Sequence, residues 1–128
     1  GEYVESVVAV GSATSLVNNT AKTITSISLT AGDWDVSGNI GYVTSGVTLT
    51  AFHNCISLTT NTVDQTVGRE NMIIMAAATS TTSPAYQFPV GPVRFSLSGT
   101  TTIFLVAQVA FSAGTLTGFG IIRARRAR

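Results

Sequence analysis

The run TIFLVAQVAF (residues 102–111) decides the fold. Read with a period of two, it places Ile103, Leu105, Ala107, Val109 and Phe111 on one face and Phe104, Val106, Gln108 and Ala110 on the other. A strand that is apolar on both faces must be covered on both. One face is therefore expected to meet a partner sheet and the other a neighbouring subunit. The run is far shorter than the roughly 20 residues of a membrane-crossing helix, so the chain is not expected to be membrane-embedded.

Strand signals continue on either side. Ser112, Ala113 and Gly114 turn the chain into a last strand over 116–124, where Gly118 and Gly120 mark close backbone approach. Upstream, Val93, Phe95 and Leu97 alternate with Arg94, Ser96 and Ser98 until Gly99. Residues 79–92 hold all three prolines and read as a long loop with a short edge strand at 85–88. The segment NMIIMAAA (71–78) reads as a short buried strand, with a helical turn or two as the weaker option, and 60–69 as a polar loop. A strand over 47–59 changes face, with a bulge expected around His53 and Asn54. From Trp34 to Tyr42, Trp34, Val36, Gly38, Ile40 and Tyr42 point one way, and Asp33, Asp35, Ser37, Asn39 and Gly41 the other. Over 23–30, Thr25, Ile27 and Leu29 oppose Ile24, Ser26 and Ser28. The expected fold is all-β: an antiparallel two-sheet sandwich, jelly-roll-like, of about eight strands, assembling as a trimer. Residues 1–20 are expected as an entering segment from a stalk or preceding domain, and 21–128 as the β-sandwich head domain.

Composition bounds the rest. The 128 residues are 45% hydrophobic and 10% charged, with a mean hydropathy of +0.38, against about 25% charged in an average soluble domain. Disorder is excluded, and the apolar excess points to burial against further copies. One cysteine, Cys55, permits no intrachain disulfide. The chain opens on Gly1 and Glu2 with neither Met nor a signal peptide, which points to a piece of something longer. Four of the six arginines fall in the last six residues, so a mildly acidic body carries a basic tail.

Two segments carry a family resemblance: GDWDVSG (32–38), preceded by ITSISLTA, and PVGPVRFSLSGTTTIFLVAQVAFSAGTLTGFGIIRARR (89–126). Over residues 23–58 and 89–128 the chain resembles the C-terminal head domains of phage and prophage tail fibres. The same segments are similar in pattern to trimeric jelly rolls of the tumour-necrosis-factor and C1q type, through Gly118, Phe119 and Gly120. The resemblance implies a homotrimeric virion structural protein, held to an upstream fibre stalk and binding a bacterial cell-surface receptor, a saccharide or outer-membrane component. Its location would be the virion tail fibre, and extracellular on release. The alternative is a structural capping or capsid-decoration module that grips no receptor; a secreted jelly-roll lectin is a third reading.

Chemical motifs are sparse. Asp33, Asp35, Ser37 and Gly38 match the opening of a calcium loop, but Thr44 stands where a bidentate Glu belongs and the segment alternates as a strand, so no metal is expected. His53 beside Cys55 on a strand cannot form a catalytic pair without a sharp bend, and reads as a packed or interface histidine. No nucleophile elbow, phosphate loop or zinc motif is present. No enzymatic activity and no cofactor are expected. The tail RARRAR (123–128) lacks interleaved aromatics and reads as a solvated strand end, so no nucleic acid is expected as a partner. Asn18-Asn19-Thr20 matches a glycosylation sequon by chance. Recognition is expected on the two segments outside the resemblance. Asn61, Asp64, Gln65 and Arg69 offer donors and acceptors, and Tyr86, Gln87 and Phe88 offer ring faces and an amide. The competing reading of Tyr86 and Phe88 is that they pin the loop to the sandwich.

Overall fold

A computed structural model describes residues 2–80 and 86–127. Nine strands follow one another: β1 (Tyr3–Val8), β2 (Thr14–Ser15), β3 (Lys22–Leu29), β4 (Gly32–Ser45), β5 (Val47–Ser57), β6 (Glu70–Ser80), β7 (Tyr86–Leu97), β8 (Thr101–Ser112) and β9 (Thr115–Arg126). The first sheet has the order β1-β9-β4-β7, with β2 also on β9; the second has the order β3-β8-β5-β6. The pairing is nested: β1 with β9, β3 with β8, β4 with β7, and β5 with β6, all antiparallel. A long hairpin folded back on itself and rolled into two facing sheets gives that order, which is the jelly roll. Residues 2–20 contribute β1 and β2 to the first sheet.

The core lies between the sheets. Trp34, Val36, Ile40 and Tyr42 of β4 face Phe52 and Ile56 of β5 and Ile103 and Leu105 of β8, all fully buried. Gly38 belongs to the same inward row; a Cβ there would lie 2.9 Å from Leu105 Cδ1, so the sheets close tightly at that point. One polar bridge crosses the core. The Tyr42 hydroxyl donates to Asn54 Oδ1 at 2.6 Å, and Asn54 Nδ2 donates to the Asn71 carbonyl at 3.1 Å. Burial pushes the Tyr42 hydroxyl well above its usual range, so it stays a donor.

Strict alternation fails in two strands for the same reason. A register shift between Thr23 and Thr25 lets both Ile24 and Ile27 face inward, whereas the sequence reading put them on opposite faces. In β5 the shift falls between Leu49 and Ala51, not around His53 and Asn54. It carries Val47 and Leu49 and then Phe52, Asn54 and Ile56 to the core side, because a bulge inserts one residue and resets the phase.

Three further expectations are corrected. The segment 71–78 belongs to the longer strand β6 at a sheet edge, and it is not buried: Met72 is 45% and Ile74 73% exposed. Residues 86–97 form one continuous strand, β7, through Pro89 and Pro92. An edge strand tolerates proline because one flank carries no ladder, and the register shift opposite Val36 and Gly38 absorbs Gly91 and Pro92. The outer face of β8 is already half covered within one chain: Val106 is fully buried, while Phe104, Gln108 and Ala110 are half-buried. In register, Val106 lies between Cys55 of β5 and Thr23 of β3. The β5–β6 loop is fastened beside it, to Thr23. Asn61 Oδ1 accepts from the Thr23 amide at 2.8 Å, and Thr23 Oγ1 accepts from the Asn61 amide at 2.9 Å.

Candidate functional site

The strand directions sort the connections into two ends. Val47 pairs with Ser80 and Tyr42 with Tyr86, so the ends of β6 and β7 share one end of the sandwich with the turns at Gly46 and at Ala113-Gly114. At the opposite end stand the β5–β6 loop, the β3–β4 turn and the β7–β8 turn, together with Glu2 and Arg126, which hydrogen-bond at 3.1 Å. The two segments expected to recognise a receptor thus lie at opposite ends and do not form one site. Residues 81–85 of the second lie outside the described residues.

In the first segment, Asp64 accepts from the Thr66 amide and from Arg69 Nη1, each at 2.9 Å. Partial burial works to raise the Asp64 carboxyl, but Thr66 and Arg69 outweigh it and hold the group below its usual range. Arg69 lies over the Phe95 ring at 4.4 Å and its Nε is buried without a partner, so this arginine closes the end of the core. Asn61 is tied to Thr23, and Gln65 is left exposed beside Val67, which is 95% exposed. In the second segment, Tyr86 and Phe88 are half-buried and pack with Tyr42 and Phe52 at centroid distances of 4.9–6.2 Å, which matches the pinning reading. Gln87 is exposed on the outer face.

Asp33 and Asp35 stand on the outer face of β4. Asp33 accepts from Ser96 Oγ at 2.7 Å and Asp35 from Arg94 Nε at 2.8 Å. Among the described residues no three His, Cys, Asp or Glu are grouped to hold a metal. The carboxylates are spent on cross-strand partners, and the melting temperature should be the same in EDTA as in calcium. A drop of several degrees in EDTA would reverse that assignment.

On the outer face of β5 and β6, Glu70 accepts from Cys55 Sγ at 3.4 Å and lies 2.9 Å from His53 Nδ1. Burial pushes the Cys55 thiol up to about 12, against the pull of the Asp64 amide and with help from Glu70. A thiol so protonated is no nucleophile near neutral pH.

The outer face of the β1-β9-β4-β7 sheet divides in two. Toward the Gly46 end, Val7, Val10, Phe119 and Ile121 line an open apolar groove of about 450 Å³, rimmed by Asn39 and Gln87. Phe119 lies flat because Gly41 stands beneath it: a Cβ at Gly41 would sit 2.2 Å from the ring. Val7 is 60% and Val10 47% exposed. Toward the other end the face is charged, with Arg123 and Arg125 of β9 beside Glu5 of β1 and Asp35 of β4. The sequence reading missed both halves. Its alternation in YVESVV and in GIIRAR was legible, but nothing in either string shows that Val7 and Ile121, or Tyr3 and Arg125, become neighbours across the sheet.

No protein-family model and no curated protein matches the sequence. Solved structures do match in fold. A structure of the Gx strain of infectious bursal disease virus covers 96% of this chain and 31% of its own at TM-score 0.55 and 14% identity. The VP2 subviral particle of that virus covers 96% and 32% at 0.53 and 14%. Its T13 viral particle covers 96% and 30% at 0.53 and 15%. The chain spans about a third of the length of these chains. Identity this low establishes a common sandwich and no more.

Proposed function

We propose that the chain is a virion structural protein, the head domain of a phage tail fibre that assembles as a homotrimer and contacts a bacterial surface receptor. The observation that carries the reading is the open apolar groove that exposed Val7 and Val10 form with half-buried Ile121 over the buried Phe119, on a jelly roll whose similar structures come from virus particles. Exposed valines beside such a groove on so weakly charged a chain call for a covering surface, and obligate interfaces resemble a core cut in half. The subunit contact belongs on this groove, not on the Val106 face. Receptor contact is assigned to Gln65, the exposed group of the first unlike segment, with Asn61, Asp64 and Arg69 holding the backbone that presents it. Three copies would multiply a weak contact through avidity.

Light scattering at micromolar concentration should give a trimer for the parent chain and a folded monomer for Ile121→Asp. A monomeric parent would overturn the assembly reading. A Gln65→Ala variant that remains trimeric should bind susceptible cells much less than the parent. If it binds equally well, or the parent binds no cell, the structural-module reading takes first place, and antibody labelling of intact particles then distinguishes tail tip from capsid.

A further inference from the structure

We propose that the charged half of the β1-β9-β4-β7 face binds an anionic saccharide, a sugar ring bearing a carboxylate or a phosphate. A depression of about 230 Å³ opens there, lined by Tyr3, Asp35, Ser37, Pro92, Arg123 and Arg125. Arg123 and Arg125 are exposed and two residues apart on one strand, so both side chains leave the same face about 7 Å apart. Three other arginines are committed to carboxylates: Arg69 to Asp64, Arg94 to Asp35 and Arg126 to Glu2. Among the described residues these two are not. Arg123, which lines the depression, donates through Nε to Ser37 Oγ at 3.3 Å, and among the described residues its two terminal nitrogens have no hydrogen-bond partner. Arg125 lies over the Tyr3 ring with its carbon 5.3 Å from the centroid.

Two free guanidinium forks on a concave wall fit the oxygens of a carboxylate or phosphate. The surroundings say that the anion is not bare. Asp35 stands in the depression with Oδ1 on Arg94 and, among the described residues, no hydrogen-bond partner on Oδ2, and Glu5, which accepts the Tyr3 hydroxyl at 2.8 Å, lies opposite Arg123 in register. Their negative charge lowers the attraction for a simple ion, while the free Asp35 oxygen and Ser37 Oγ accept hydroxyl protons. Pro92 adds an apolar wall against which a pyranose can lie. A ligand with an anionic group and adjacent hydroxyls satisfies all of these at once. Inorganic phosphate satisfies only the arginines.

The proposal rests on the receptor-binding reading for its biological use, not for its chemistry. The test titrates the full chain with glucuronate, glucose 6-phosphate, glucose and inorganic phosphate, following the Arg123 and Arg125 Nε–H signals by NMR and affinity by calorimetry. Glucuronate or glucose 6-phosphate should shift both signals, and the better of the two identifies the anionic group. Glucose and inorganic phosphate should each bind about tenfold more weakly or worse. Arg123→Gln with Arg125→Gln should abolish the shift of the sugar acids, and Arg123→Lys with Arg125→Lys should retain a reduced affinity, since charge survives without the fork. Inorganic phosphate binding as tightly as either sugar acid, glucose binding equally well, or no response at the two arginines would each overturn the site. Binding of a sugar acid by a protein that attaches to no cell leaves the site standing and removes the head reading instead.

Discussion

Val106→Asp should unfold the subunit, not merely dissociate an assembly. Val106 is fully buried, in register between Cys55 of β5 and Thr23 of β3. A carboxylate there would lose its hydration beside a thiol pushed up to about 12, and His53, the basic group next along that face of β5, already lies 2.9 Å from Glu70. A buried unpaired charge costs about 4 kcal/mol or more, which for a chain of this size is a fall in melting temperature on the order of 15 °C. The comparison is Ile121→Asp, half-buried on the opposite sheet, which should keep its melting transition as a monomer. Thermal unfolding followed by circular dichroism at equal protein concentrations separates the two. If Val106→Asp melts with the parent, that position is not closed to water.

Asn54→Ala should cost nearly as much, about 3 kcal/mol or on the order of 10 °C. Asn54 is fully buried on β5 and joins three strands: it accepts from Tyr42 of β4 in the facing sheet and donates to the Asn71 carbonyl of the neighbouring β6. Alanine leaves a buried hydroxyl without its partner and takes a second bond from the Asn71 carbonyl, along with opening a small cavity. Tyr42→Phe removes only the hydroxyl and should cost about 1 kcal/mol. The double variant should be no worse than Asn54→Ala alone, because the unsatisfied hydroxyl that dominates the single loss is gone. Additive losses in urea titrations would show that the two side chains act independently and that the bridge does not join the sheets.

Both results concern residues whose type says little about their place. In sequence Asn54 stands among His53, Cys55 and Ser57, and polar character suggests the wet face. The bulge between Leu49 and Ala51 turns it inward. A bulge is one residue of mismatch between two paired strands, so its position depends on a partner that the strand's own string does not contain. The same holds for Ile24, which faces the core only because the pairing with β8 slips beside it. Edge status is similarly non-local. NMIIMAAA reads as buried because it is apolar, yet it lies outermost in its sheet, and PVGPV reads as loop because it is proline-rich, yet it continues a strand.

The chain by itself determined what depends on spacing along one strand: the all-β class, the inward row from Trp34 to Tyr42, the two-sided apolar character of β8, and the turn at Gly114. Period-two alternation records which side of its own strand a residue takes, and that survives any assembly of strands. Tertiary structure decided what lies across from each strand. It tied the β5–β6 loop to Thr23, separated the two expected recognition segments to opposite ends, and brought Tyr3 and Asp35 from β1 and β4 to either side of Arg125. Those neighbours are 32 to 122 residues apart in the chain. They meet because nested pairing joins the first strand to the last, a choice made by the burial of all the strands together and by none of them alone.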